Sequence, residues 1–346
     1  MLDHNVIGAE FAGGRDYFNT ASLGIPPRRS LDALQSSIAA WRSGHIEPPD
    51  FDNDVSAARR SFASLLSVPV EWVAIGSQVS ALVGLVTTTL RPGATVLYPE
   101  GEFTSVIFPF LVRDDLDLEV KSVPLDRLAE AIVPGVDIVA FSAVQSSNGR
   151  VADLPSIRQA ARTSGTLTLV DATQAAGWLP INATDFDFVV AGTYKWLLSP
   201  RGTAFLTIRP ELRDRMRPLY AGWYAGEDPW ESIYGDPLRL AADARRFDLS
   251  PGWLAWVGTA PALALLGSIG VEAIHDHNIG LANSLLSQLG YPSSNSAIVS
   301  LDLDPNFPQA RLDGLRVAYR AGRLRVGFHL YNSAGDVASL VRALTD

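Results

Sequence analysis

Thr166-Leu-Thr-Leu-Val-Asp-Ala-Thr-Gln174 and, shortly after it, Phe186-Asp-Phe-Val-Val-Ala-Gly-Thr-Tyr-Lys-Trp196 decide the fold. Each opens with a short apolar run rich in β-branched residues. Each run then breaks into polar residues, Asp171 after the first and Lys195 after the second. Apolar residues here are continuous rather than alternating, which predicts strands covered on both faces, as in a parallel sheet. Working outward, similar runs occur at Trp72–Ile75, Thr95–Tyr98, Leu118–Val123, Asp137–Ser142 and Thr203–Ile208. Amphipathic stretches at Ser80–Leu90 and Leu154–Thr163 lie between them and read as covering helices. The predicted architecture is α/β: a mostly parallel seven-stranded sheet in a large domain. The short Ser199-Pro-Arg-Gly202 turn predicts one antiparallel pairing, between the last two strands.

Beyond residue 210 the pattern changes. Trp223, Tyr224, Trp230 and Tyr234 are scattered among Gly, Pro and Asp, and a helix-like Ala260–Ile269 follows. Strand candidates Ala297–Leu303 and Leu324–Phe328 and a final helix from Ser333 complete a smaller α/β domain. The division predicted is residues 20–249 for the large domain and 250–346, with 1–19, for the small C-terminal one.

Composition narrows the function. With 47% hydrophobic and 19% charged residues the chain can build a large core. A net charge of −9 argues against nucleic acid as partner. There is no cysteine, so disulfides, thiolate metal sites and cysteine nucleophiles are excluded. Five histidines without metal-ligand spacing make a zinc site improbable. Neither a secretory signal nor a membrane-spanning run is visible, and a soluble cytoplasmic protein is expected.

Open parallel sheets bind ligands at the carboxyl ends of their strands. The residues there form polar clusters: Gly76-Ser77-Gln78, Glu100 to Ser105, Gln145 to Gly149, Asp171 to Gln174, and Gly192 to Lys195. Asp171 ends an apolar strand and needs a cationic partner or an N-capping role. A protonated pyridine nitrogen would satisfy the first need. Lys195 alone reads as a lysine snorkelling from a strand end. Beside Asp171 it reads as a desolvated amine able to attack an aldehyde. The turn at Ser77 and Gln78 leads into a helix whose free N–H groups suit a phosphate, or it is an ordinary capped turn. Phe103 is placed to stack on a planar ring, or to be plain core. Arg325 shares a strand face with Arg323 and offers a fork for a carboxylate, or an ordinary surface ion pair.

Taken together, Val170-Asp-Ala-Thr-Gln-Ala-Ala-Gly-Trp178 and Phe186 through Gly202 resemble the class V aminotransferase family. The opening Tyr17-Phe-Asn-Thr-Ala-Ser-Leu-Gly-Ile-Pro-Pro27 and the closing Leu324-Arg-Val-Gly-Phe-His-Leu-Tyr-Asn332 resemble that family's ends. The resemblance implies the fold of type I pyridoxal-phosphate (PLP) enzymes, with Lys195 holding the cofactor as a Schiff base. It further implies that Asp171 pairs with the pyridine nitrogen and that Gln174 approaches the ring's phenolic oxygen. Gln145 falls near the cofactor oxygen or the substrate, and Ser77 and Gln78 fall in the phosphate turn. Arg325 would hold the substrate's α-carboxylate, and Ser250 would reach the phosphate of the partner in a homodimer. Tyr194 and Phe103 stand where many members have histidine, a kynureninase-like pattern with Tyr194 at the phosphate. Cysteine desulfurase chemistry of the usual type needs a cysteine that this chain lacks.

The expected activity is transamination between an amino acid and a 2-oxo acid. The alternatives are a C–S or C–C lyase, an amino-acid epimerase, and a non-catalytic sensor or partner subunit. For the lyase, the Trp223–Trp230 aromatics would line a pocket or, equally, pack in an interface.

Overall fold

The computed structural model describes residues 2–345. Seven strands build the main sheet: β1 (Val73–Gly76), β2 (Thr95–Pro99), β3 (Glu119–Val123), β4 (Ile138–Ser142), β5 (Leu167–Asp171), β6 (Phe188–Gly192) and β7 (Ala204–Ile208). Their order is β1-β7-β6-β5-β4-β2-β3. β2–β3, β2–β4, β4–β5 and β5–β6 pair in parallel. β7 runs against the rest and pairs antiparallel with both β6 and β1. The second of these pairings was not legible in the sequence, because β1 and β7 lie far apart along the chain. Both faces are buried in the inner strands, as their continuous apolar runs required; β3, at the edge, is largely exposed, because Glu119, Lys121 and Ser122 interrupt the run expected at Leu118–Val123. Ile75, Phe141, Val170 and Phe205 enter one core, whereas Ala74, Ala140, Leu169 and Leu206 enter the other.

The helices are α1 (His4–Glu10), α2 (Arg28–Arg42), α3 (Asp52–Leu65), α4 (Val79–Val86), α5 (Thr104–Leu111), α6 (Leu128–Ala131), α7 (Leu154–Ser164), α8 (Trp253–Ile269), α9 (Val271–Gln288) and α10 (Ala334–Thr345). The helix expected over Ser80–Leu90 ends earlier, tightening into a 3₁₀ turn at Thr87–Thr89. There the hydroxyls of Thr87, Thr88 and Thr89 bond back to the carbonyls of Gly84, Leu85 and Val86. Such side chains compete with the helical ladder. α8 begins seven residues before the expected Ala260, carries Pro261 inside it, and packs on α2 and α3.

A second sheet, in the order β8-β10-β9, is antiparallel throughout: β8 (Ile298–Leu301), β9 (Ala318–Arg320) and β10 (Arg323–Gly327). β9 is short and was missed in the sequence. Its two-residue turn to β10 is Ala321-Gly322, both with positive φ (48° and 77°), where asparagine or glycine is the usual first residue. The N-terminal segment joins this sheet. Phe18 donates its N–H to Arg316 and accepts from the N–H of Gly327. α9 and α10 cover it through Leu285, Leu286, Val337 and Leu340. No single described helix is long and apolar enough to cross a membrane.

Candidate active site

The carboxyl ends of β1, β2, β4, β5 and β6 open onto one cavity of about 360 Å³. Because β7 runs the other way, its entry turn, Arg201-Gly202-Thr203, closes the same rim. Ser77, Gln78, Phe103, Asp171, Gln174, Tyr194 and Lys195 all stand in its wall. Gln145, Ser250 and Arg325 do not.

Lys195 follows β6 in a loop that is held from three sides. Gly24 donates its N–H to the Tyr194 carbonyl (2.9 Å), and Leu198 donates to the Lys195 carbonyl (3.2 Å). A side chain at Gly24 has no room, since a Cβ would lie 2.1 Å from the Lys195 carbonyl oxygen. His329 Nδ1 accepts from the Leu330 N–H, which leaves Nε2 to donate to the Trp196 carbonyl at 3.0 Å. Burial holds that imidazole down to about 4, so it is a neutral donor. The Lys195 side chain is 5% exposed, with Nζ 5.2 Å from the Phe103 ring centroid and 5.6 Å from that of Tyr194. Burial pulls its ammonium down to about 8; Asp171 opposes this, and Arg325, Arg320 and Arg201 reinforce it. A lysine so placed is neutral, and nucleophilic, far more readily than one in water.

Asp171 is buried beside it. Its Oδ1 accepts from the Thr173 N–H at 2.7 Å, and among the described residues it forms no ion pair. The residues that follow form a turn rather than a helix, and the turn engages one carboxylate oxygen and leaves the other open to a cation. Burial pushes this carboxyl up, against the pull of the Thr173 N–H and the Lys195 charge. Gln174 locks three segments together. Its Nε2 donates to the Ala21 carbonyl and to Ser146 Oγ (3.0 Å each), and its Oε1 accepts from Trp196 Nε1 (2.7 Å). At Ser77 and Gln78, no side chain caps α4, so its first N–H groups stay available to an anion. Arg201, which the sequence showed only as part of a turn, joins that side, its guanidinium 5.3 Å from the Tyr194 ring.

Glu102 is a further group that sequence reasoning missed. Its carboxylate accepts from the Ser142 N–H (2.7 Å), the Ser142 hydroxyl (2.5 Å), the Phe103 N–H (2.7 Å) and Gln145 Nε2 (3.1 Å). Gln145 is thus oriented by Glu102 behind the cavity wall. Burial pushes the Glu102 carboxyl up, while its bonds to Ser142 and Phe103 pull it down. No spacing rule links residues 102, 142 and 145; only the adjacency of β2 and β4 does. Arg325 is 2% exposed and donates to the Ser146 carbonyl and to Ser22 Oγ (2.8 Å). Arg323, on the same strand face, pairs with Asp302. Ser250 is exposed. The aromatic segment lines none of this cavity. Instead Tyr224 and Trp230 both donate to Asp52 at the start of α3 (2.8 and 2.7 Å).

Residues 32–300 match the family model described as aminotransferase class-V. The chain belongs to the class V aminotransferase family. It is 32% identical over 271 residues to the uncharacterized aminotransferase YcbU of Bacillus subtilis, spanning 74% of this chain and 70% of that protein. With a kynureninase of Deinococcus radiodurans it shares 25% over 304 residues, 82% and 73% of the two chains. Among solved structures, a C-DES variant with glycine covalently linked to its PLP cofactor superposes with a TM-score of 0.88. Identity is 19% and coverage 100% of both chains, a likeness of fold.

This class V protein is a PLP-dependent enzyme acting on amino acids. Its cavity fits the cofactor on its own terms. A buried carboxylate without a cation, Asp171, suits a protonated ring nitrogen. The uncapped start of α4, with Ser77, Gln78 and Arg201, suits a phosphate. Phe103 suits the face of the ring, and Lys195, buried between Phe103 and Tyr194, suits its aldehyde.

Proposed function

We propose that this class V enzyme transfers the amino group of an L-amino acid to a 2-oxo acid. The observation that carries the reading is a buried arginine, Arg325, which has no carboxylate partner among the described residues and whose charge reaches Lys195. A buried guanidinium left unpaired is costly, and an amino acid's carboxylate would relieve it. Bound PLP supplies an electron sink for charge released at the substrate Cα. In the proposed roles, Lys195 would hold the cofactor through Nζ and, when free of it, would serve as the base for the substrate's Cα proton. Asp171 would keep the ring nitrogen protonated, and Arg325 would bind the substrate carboxylate. Ser77, Gln78 and Arg201 would hold the phosphate. Gln174 holds the lysine loop and Glu102 holds Gln145.

A second reading, a C–C or C–S lyase, is favoured by Phe103 and Tyr194 beside Lys195. The two readings separate on products. Transamination moves a labelled amino group onto added pyruvate without net ammonia, whereas elimination releases ammonia whether or not pyruvate is present. Ammonia release as the main course would overturn the proposal. The same reading includes a homodimer, supported by exposed Leu219, Tyr220, Tyr234 and Leu238 and by Ser250 on the surface, and a cytoplasmic location.

The pH dependence follows from Lys195. Cofactor attachment is expected to rise with pH and level off above about 8, as the amine loses its proton. Asp171→Asn removes the charge that favours the ammonium, so the midpoint should move to lower pH. Attachment rates measured by stopped-flow absorbance from pH 6 to 10 check this; a midpoint near an ordinary lysine's ~10.4 would contradict it.

A further inference from the structure

The small sheet carries three guanidinium groups on one face. Arg320 and Arg323 are direct cross-strand partners, and Arg325 lies two residues further along β10. Like charges directly opposite each other destabilise a sheet unless something neutralises them. Arg323 is neutralised by Asp302 and donates also to Ser300. Arg320 and Arg325 form no ion pair among the described residues. Both instead turn to one neutral atom. Arg325 Nη2 lies 2.8 Å from Ser22 Oγ, and Arg320 Nη2 lies 3.3 Å from it.

We propose that Arg320 is a second substrate-binding residue, which with Arg325 clamps a single carboxylate of the amino acid at Ser22. The proposal rests on the reading of the cavity as an amino-acid site. The two Nη2 atoms share one hydroxyl, so they are within about 6 Å of each other. That gap suits one carboxylate, each oxygen taking a charge-assisted bond of about 2.8 Å from a different arginine. It is too narrow to hold two separated carboxylates, one on each guanidinium. Arg325 is buried and fixed by Ser146, whereas Arg320 is exposed and meets it at Ser22. Arg320 is set there by the Ala321-Gly322 turn, which places a non-glycine residue at φ 48°. Arg325 stands outside the cavity wall but bonds Ser146, which is part of that wall together with Lys195, so the clamp borders the same cavity. Both arginines lower the Lys195 ammonium, in agreement with that placement.

Calorimetric titration of glycine and of glycinamide into PLP-loaded wild-type enzyme and Arg320→Ala tests the clamp. The two probes differ only in the carboxylate. The variant should bind glycine about tenfold more weakly, the worth of one charge-assisted bond, and glycinamide as before. Arg320→Lys, which keeps the charge but not the fork, should fall between. Equal loss for both probes, no loss for either, or failure of the loaded wild type to bind glycine would overturn the clamp while leaving the cofactor site standing. Failure of the wild type to take up PLP would instead overturn the reading on which the clamp depends.

Discussion

Lys195→Ala is expected to lose covalent attachment of PLP altogether and to lower turnover by about 10³-fold or more. Two functions are lost at once, the link to the cofactor and the base at Cα, and no other lysine stands in the wall of the cavity. The fold should survive. Among the described residues the Lys195 ammonium has no hydrogen-bond or ion-pair partner. Burial already disfavours its charge, so the variant should melt no lower than wild type. Borohydride reduction of the loaded enzymes followed by peptide mapping checks the assignment. Wild type should carry the adduct on Lys195 and the variant none; a reduced adduct elsewhere in the variant would contradict it.

Asp248→Ala should cost about 3–5 kcal/mol of stability, measured by chemical denaturation, because it strands a buried charge. Arg59 donates from Nη1 to Asp248 Oδ1 (3.1 Å) and from Nη2 to Oδ2 (2.6 Å), with both residues buried. Asp248 Oδ1 also accepts from the Ile75 N–H at 2.8 Å, and Arg59 donates to the Val73 carbonyl at 2.5 Å. The pair thus binds the segment before Ser250 to β1, directly upstream of Gly76-Ser77-Gln78. Weakened PLP affinity should accompany the lost stability. Asp248→Asn retains an acceptor for Ile75 and should lose less. A loss under about 1 kcal/mol in the alanine variant would mean that the pair is not isolated from water as the structure has it.

The sheet was legible because its strands are buried on both faces. A continuous apolar run such as Phe188–Val190 then announces itself without any partner in view. The residues proposed to hold the cofactor stood out for a related reason: Asp171 and Lys195 are charges set against apolar sequence, and the fold brings them into one cavity wall. What was not legible depends on contacts between distant segments. Nothing near Glu102 shows that Ser142 and Gln145 will meet its carboxylate, and nothing near Asp52 shows that Tyr224 and Trp230 will. The latter contact turns the aromatic loop away from the cavity. β9 escaped because three residues and an alanine turn give almost no local signal. With it escaped Arg320, whose interest lies wholly in what stands opposite.

A crystal structure of the enzyme loaded with PLP would show whether Lys195 carries the cofactor. Continuous density is expected between Lys195 Nζ and the cofactor aldehyde carbon, with the ring nitrogen against Asp171 and the phosphate at Ser77, Gln78 and Arg201. Cofactor bound elsewhere, or bound in this cavity with Lys195 unattached and Asp171 facing no ring nitrogen, would contradict it.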